Sequence, residues 1–234
     1  MTHESVVRAL ARSEPFAGLD SDALDHLARQ CRVRRYDKGE QIFARGERGG
    51  GMFLVGEGSV ALSVTSAQGA EMLLAVLGPP LTFGELAVID GGPRVATATA
   101  RRPSVLVAIP RTGVLEVLRH NPGVGMALLA CLAALIRRVD EQASDLVLVD
   151  LPGRVAKFLL AAAQAPNGPA PNGPAPAGAP VPVQMRLTQT ELARLVGGSR
   201  QQVNRILADL EASGAIHRAG PRITAIRPDL LHPG

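Results

Sequence analysis

Leu187-Thr-Gln-Thr-Glu-Leu-Ala-Arg-Leu-Val-Gly-Gly-Ser-Arg-Gln-Gln-Val-Asn-Arg-Ile-Leu207 reads as two short helices joined by a tight turn. Leu192, Leu195 and Val196 give the first helix an apolar face at three- and four-residue spacing. Gly197-Gly198 permits a sharp turn, because glycine tolerates positive φ, and Ser199 can cap the next helix by accepting a backbone N–H. In that second helix Val203, Ile206 and Leu207 face inward, which leaves Arg200, Gln201, Asn204 and Arg205 outward. Arginine and the carboxamides can make paired hydrogen bonds to guanine and adenine edges in the major groove. A surface helical hairpin with ordinary polar faces would share some of this pattern. Turn, cap and outward quartet together point to a DNA-reading helix-turn-helix.

The flanks extend this reading. Downstream, Gly214-Ala-Ile-His-Arg-Ala-Gly-Pro-Arg-Ile-Thr-Ala-Ile226 predicts a β-hairpin turning near Gly220-Pro221, a wing from which Arg218 and Arg222 reach phosphates. Upstream, residues 165–182 (APNGPAPNGPAPAGAPVP) repeat a Pro-Asn-Gly-Pro-Ala unit, which predicts a mobile, partly polyproline-II loop. Before it, Asp150 caps a helix with Pro152 in its first turn, running through Val155, Phe158, Leu159 and Leu160.

A longer helix is expected from about Asn121 to Val149. Leu128, Leu132, Leu135, Val139, Gln142, Leu146 and Val149 recur at alternating four- and three-residue steps. That spacing is a coiled-coil seam, and some of it must also pack on the preceding domain; its length and the polar Gln142 favour a two-helix homodimer contact. From Val33 to Ile109 the texture changes to short apolar runs: Gln41-Ile-Phe, Met52-Phe-Leu-Val, Ser59-Val-Ala-Leu-Ser-Val, Met72-Leu-Leu-Ala-Val-Leu and Ser104-Val-Leu-Val-Ala-Ile. Turn signals at Gly39, Gly46, Gly58, Gly69 and Gly78 keep each run short, which argues for a sandwich or jelly-roll barrel. Short helices over about Val6–Ala28 precede it, with Asp20 or Ser21 as a cap. The expected fold class is therefore α+β. Residues 1–120 form a jelly-roll effector domain, 121–150 the dimerisation helix and 151–234 a winged helix-turn-helix domain.

Composition sets the outer bounds. The chain has 234 residues, enough for one large or two modest domains, and 46% apolar residues mark it as globular. A net charge of +4 fits a nucleic-acid partner without requiring one. Cys31 and Cys131 lie far apart, which fits buried apolar residues in a reducing compartment rather than a disulfide or metal pair. The N-terminus lacks a secretory pattern, and the apolar run Val124–Ile136 is too short to span a bilayer, so a soluble cytoplasmic protein with no membrane contact is expected.

A second chemical feature is Phe83-Gly-Glu-Leu-Ala-Val-Ile-Asp-Gly-Gly-Pro-Arg-Val-Ala-Thr97. Glycine lets backbone approach a ligand, successive N–H groups in a turn form a concavity for an anion, and Arg94 supplies a planar charged fork for phosphate oxygens. Glu85 can accept from a sugar hydroxyl. A plain Glu85–Arg94 salt bridge would fit the same spacing.

This stretch resembles the phosphate-binding cassette of cyclic-nucleotide-binding domains, and the whole chain is similar to the Crp/Fnr family of bacterial transcription regulators. The resemblance runs from about Phe16 to Ile226 in one order: barrel, long helix, Asp-x-Pro-Gly hinge, winged helix-turn-helix. It implies that amides around Gly84, Glu85, Leu86 and Val95, with Arg94, hold a cyclic phosphate, and that Glu85 takes the ribose 2′-hydroxyl. It implies base reading by Arg200, Gln201 and Arg205 with Asn204 on the same face, and phosphate contacts at Thr188, Gln189 and Ser199. Two positions depart from the cyclic-AMP-responsive pattern. The adjacent hydroxyls that grip adenine fall on Val139 and Asp140, and Gln201 stands where a glutamate reads cytosine. An ionised aspartate only accepts, so it can take a proton from an adenine amino group or pair with two donors on a guanine edge.

The leading expectation is a homodimeric regulator on a near-palindromic operator, controlled by cAMP or cGMP, with RNA polymerase as a further possible partner. One alternative is a constitutive regulator, or one answering another ligand such as a cyclic dinucleotide. Another is a cupin-like enzyme, against which Val33–Ile109 contains no histidine and no catalytic triad pattern is evident. No catalytic residue, resident cofactor or metal is expected.

Overall fold

The computed structural model describes residues 1–67, 69, 71–164, 180–183, 187–220 and 222–232. They form two compact units, Met1–Arg137 and Arg138–Gly234, and the division falls inside the long helix rather than at either of its ends.

In the first unit, α1 (His3–Ala11) and α2 (Ser21–Gln30) begin at Thr2 and Asp20, whose side chains accept from Ser5 N and Ala23 N. They bury Val6, Leu10, Leu24 and Leu27. The chain then enters an antiparallel sheet: β1 (Arg32–Tyr36), β2 (Gln41–Phe43), β3 (Gly51–Thr65), β4 (Glu71–Leu77), β5 (Thr82–Phe83) and, after the short α3 (Leu86–Ile89), β6 (Thr97–Pro110). The order is β1-β6-β3-β4, with β2 on β6 and β5 on β3. Strand alternation divides the interior. Met52, Leu54, Val107 and Ile109 pack with α1 and α2, while Phe53, Val55 and Leu106 pack with Phe43, Val60 and Phe83.

The runs at Met52–Val55 and Ser59–Val64 belong to one bent strand, β3. Gly58 marks an irregularity in it rather than a turn between strands. Its φ is +90°, and a Cβ there would lie 2.1 Å from Ser104 Oγ. The bend therefore excludes a side chain on two counts.

β6 leads into α4 (Arg111–His120) and α5 (Pro122–Leu148). Val124 and Leu128 close the core of the first unit. Leu128, the first position of the expected seam, is 3% exposed. The apolar positions of α5 left exposed are Met126, Leu129 and Ile136, and in the second unit Val139, Leu146, Val147 and Leu148. Met126, Leu129, Ile136 and Val147 recur with Ala133, Asp140 and Ala143 at three- and four-residue steps, so a second heptad stripe is exposed beside the expected one, in which Leu128 is buried while Val139 and Leu146 are exposed. At 27 residues α5 is also long and apolar enough to cross a membrane by length and composition, a correction to the expectation from its apolar run alone. The helix continues past that run, which adds the length; yet Val124 and Leu128 are buried by protein.

In the second unit, α6 (Leu151–Gln164) starts at Asp150, whose carboxylate accepts from Gly153 N at 2.9 Å. The expected loop lies outside the described residues over 165–179. Its last two residues, Val181–Pro182, form β7 against Ile226 and Ala225, at a sheet edge where proline loses no ladder bond. Then come α7 (Gln189–Val196), α8 (Arg200–Ala212), β8 (Ile216–Ala219), β9 (Arg222–Ile226) and a 3-10 turn at Pro228–Leu230. The β7-β9-β8 sheet and the three helices share a core of Val155, Leu159, Leu192, Val203, Leu207, Ile216 and Ile226.

Candidate ligand cradle and nucleic-acid interface

The cradle in the first unit is assembled from four stretches of chain. β5 ends at Phe83, and Gly84 turns the backbone at φ +83° into Glu85, which opens α3. Asp90 closes the turn by accepting from Gly92 N at 2.7 Å. Arg94 then reaches back beneath the loop. Its Nη1 donates to the Gly84 carbonyl at 2.8 Å and its Nη2 to the Gly51 carbonyl at 2.6 Å. The guanidinium lies over the Phe43 ring, 4.2 Å from its centroid, and Phe43, Phe53 and Phe83 pack together under it. A Cβ on Gly84 would meet Arg94 Nη1 at 2.5 Å, and one on Gly49 would meet the Ala87 Cβ at 2.3 Å.

Two atoms in this cradle lack partners. Arg94 is 6% exposed and its Nε is buried without an acceptor; the Glu85 Oε2 is buried without a donor. The salt-bridge alternative therefore fails: Arg94 is held by carbonyls and an aromatic face, and Glu85 keeps an open acceptor. Burial raises the Glu85 pKa against the opposing pull of Arg94, and burial lowers that of Arg94 against the pull of Glu47 and Glu85. An arginine remains charged regardless. A buried cation and an open acceptor side by side suit a ligand offering an anion and a hydroxyl.

Gly84, Glu85, Leu86, Arg94 and Val95 thus converge on one loop, with Val95 exposed. Val139 and Asp140 belong to the second unit, where both are exposed on α5. Reading the sequence missed Phe43, Gly49 and Gly51 as cradle residues. The Gly49-Gly50-Gly51 run before an apolar strand was the available signal. The cysteines are packing residues: Cys31 donates to the Leu27 carbonyl at 3.2 Å, and burial pushes its thiol up to about 12.

The second site is the face of α7 and α8. Thr188 caps α7 reciprocally with Glu191, accepting from Glu191 N at 3.2 Å while Glu191 accepts from Thr188 N at 2.7 Å. Ser199 and Gln202 repeat the arrangement on α8, at 3.2 and 3.0 Å. Gly197 adopts φ +69° between the helices. Arg200, Gln201 and Arg205 are exposed and Asn204 is half-buried on the same side, so the four expected residues share one face. Thr188 is exposed and Gln189 half-buried at the start of α7. The Thr188 hydroxyl also donates to Glu191 at 2.9 Å, so its proton is engaged. In the wing, Arg222 is exposed, but Arg218 is paired with Glu211 through Nε at 2.7 Å and through Nη2. Arg218 is therefore a strut to α8 rather than a free phosphate contact.

An anion cradle with a hydroxyl acceptor in one unit, and a doubly capped helix-turn-helix with its wing in the other, define a two-part regulator class. Residues 33–121 match the family model of the cyclic nucleotide-binding domain, and residues 153–232 match that of the Crp-like helix-turn-helix domain. The chain is 36% identical to the CRP-like cAMP-activated global transcriptional regulator of Mycobacterium tuberculosis, over 92% of each chain. It is 33% identical to the cyclic AMP receptor protein of Thermus thermophilus, over 92% of this chain and 93% of that one. The crystal structure of the Thermus thermophilus catabolite activator protein matches with a TM-score of 0.53 at 31% identity, covering 93% of this chain and 96% of that one. The chain belongs to the Crp/Fnr family of transcription regulators, which are DNA-binding proteins and not enzymes.

Proposed function

We propose that the protein is a homodimeric, cytoplasmic regulator whose affinity for a near-palindromic operator is set by a cyclic purine mononucleotide, cAMP or cGMP, in the Arg94 cradle. The observation that carries this is the pair of unsatisfied buried atoms, Arg94 Nε and Glu85 Oε2, in a cradle where Gly84 and Gly49 let the backbone close tightly on Arg94 and Ala87. The cyclic phosphate takes the guanidinium, with amides of Gly84, Glu85, Leu86 and Val95 around it, and the ribose 2′-hydroxyl takes Glu85. Two relatives whose names carry cyclic AMP support the ligand class.

The free stripe of α5 supports a second copy as its cover, since Met126, Leu129 and Ile136 recur at coiled-coil spacing and are left in water. Asp140 lies on that stripe and Val139 beside it, so Asp140 is the chain's choice of acceptor for the base. Each subunit then places Arg200, Gln201, Asn204 and Arg205 in a major groove, with Thr188, Gln189 and Ser199 at the backbone. Ligand shifts the population of DNA-competent dimers only as far as it prefers them. RNA polymerase is a further candidate partner.

Asp140 favours one alternative, because a carboxylate pairs with two guanine donors better than with one adenine amino group. A guanine-bearing cyclic dinucleotide is the second reading. Calorimetry of the purified protein with cAMP, cGMP and cyclic di-GMP separates these. Binding of either mononucleotide supports the leading reading; heat from the dinucleotide alone supports the second; no heat from any would leave a constitutive regulator.

A further inference from the structure

Arg154, on the first turn of α6, holds together two helix ends that belong to different parts of the second unit. Its Nη1 donates to the Val149 carbonyl at the end of α5, at 2.5 Å, and its Nε donates to the Val196 carbonyl at the end of α7, at 2.8 Å. Helix C-terminal carbonyls lack intrahelical partners and carry the negative end of the helix dipole. One guanidinium therefore satisfies two of them at once, which a point donor cannot do.

The turn that follows Val196 sits on the same hinge. A Cβ on Gly197 would lie 2.8 Å from Leu146 Cδ2 of α5, and one on Gly198 would lie 2.7 Å from Leu151 Cδ1 of α6. The turn's own amides are spent inside α7, where Gly198 N donates to Ala193 O at 2.9 Å. Backbone on leucine and a forked cation thus fix the start of α8 to the end of α5. Lys157 and Asp145 add an ion pair between α6 and α5.

We infer that Arg154 is a positioning residue for operator reading: it locks the turn before the recognition helix to the end of α5, so that α8 follows whatever that end does. This rests on the DNA-binding reading and goes beyond it, since Arg154 touches no base or phosphate in that reading. A merely local role would stabilise α6 alone.

Hydrogen–deuterium exchange on the full-length protein tests the lock without DNA or ligand. Arg154→Gln is expected to speed exchange at least tenfold in both 145–150 and 194–199, and Arg154→Lys to protect one segment but not both. Acceleration confined to α6 overturns the inference. Leu151→Ala, which leaves Arg154 in place, is expected to keep wild-type exchange in 145–150 and 194–196, and acceleration of both segments in that variant counts against the inference even if Arg154→Gln does not fold. On DNA, Arg154→Gln should bind operators with half-sites one base pair closer or further apart within about threefold of the best spacing, where the wild type discriminates by more than tenfold. Discrimination at the base read by Arg200 should be unchanged. Retained spacing discrimination in Arg154→Gln overturns the inference. Failure of wild-type protein to bind any duplex strikes instead at the DNA-binding reading, and the exchange result still decides the role of Arg154.

Discussion

Arg94 is an expensive residue to bury, and its surroundings show how the cost is met. Two carbonyls and the face of Phe43 compensate most of the guanidinium, and Nε is left buried without a partner. A charged hydrogen bond is worth roughly 1.5–3 kcal/mol, so Arg94→Ala should weaken cyclic-nucleotide binding on the order of a hundredfold by calorimetry. Glu85 makes a pH prediction. Burial raises its folded pKa, so the fold holds the proton more tightly than the unfolded chain does. The associated stability is full below the ordinary glutamate value of about 4.3 and is lost as pH rises through the raised value. Glu85→Gln should therefore flatten melting temperature against pH in that window, while a ligand hydroxyl, which needs the ionised acceptor, should bind wild-type protein better as pH climbs through it. Equal pH slopes in the two proteins would contradict the assignment. Gly84, Glu85 and Arg94 were legible because they are close in sequence and chemically distinctive. Phe43, Gly49 and Gly51 were not, because only folding brings them under the loop.

At the scale of elements, α5 shows what periodicity can and cannot say. Its length and boundaries followed from composition, but two heptad stripes run along it, and sequence spacing singled out the one whose first member is buried in its own unit. Exposure separates them only at the start of the helix: Leu128 is 3% exposed and Leu129 59%, while further along Val139 of the one and Ile136 of the other are 55% and 68% exposed. Covering an apolar side chain of this size is worth roughly 1.5–3 kcal/mol. Leu129→Lys with Ile136→Lys should therefore give a monomer by sedimentation while the first unit melts near its wild-type temperature, because both positions are already in water. A dimer that survives would assign the interface elsewhere. For α8, the two glycines, the serine cap and the apolar positions fixed its limits in advance. The reciprocal caps with Glu191 and Gln202, and the Arg218–Glu211 strut, needed side-chain geometry. Arg200→Ala or Arg205→Ala should each cost on the order of 1–3 kcal/mol at one base pair per half-site in a selection from random DNA. Gln201 should favour adenine or be permissive. Half-sites with a strict cytosine preference at that position would refute its role.

At the scale of the molecule, the order of parts carried the family: barrel, long helix, hinge, winged helix-turn-helix were all readable, because each has a different hydrophobic period and its own turn residues. What the sequence left open is how a ligand in one unit would be felt by the other, since that depends on which of α5's faces a second copy covers and on ties such as Arg154. If the cradle is the effector site, occupancy beside Arg94 must change DNA affinity. Fluorescence anisotropy with a selected palindromic operator, whose half-sites lie roughly 34 Å apart, measures this directly for wild-type protein and Arg94→Ala, with and without saturating cAMP or cGMP. One nucleotide is expected to change wild-type affinity at least tenfold, and Arg94→Ala to keep the ligand-free affinity with no response. Wild-type affinity that is unchanged by either nucleotide, and equal to that of Arg94→Ala throughout, would contradict an effector role for the cradle.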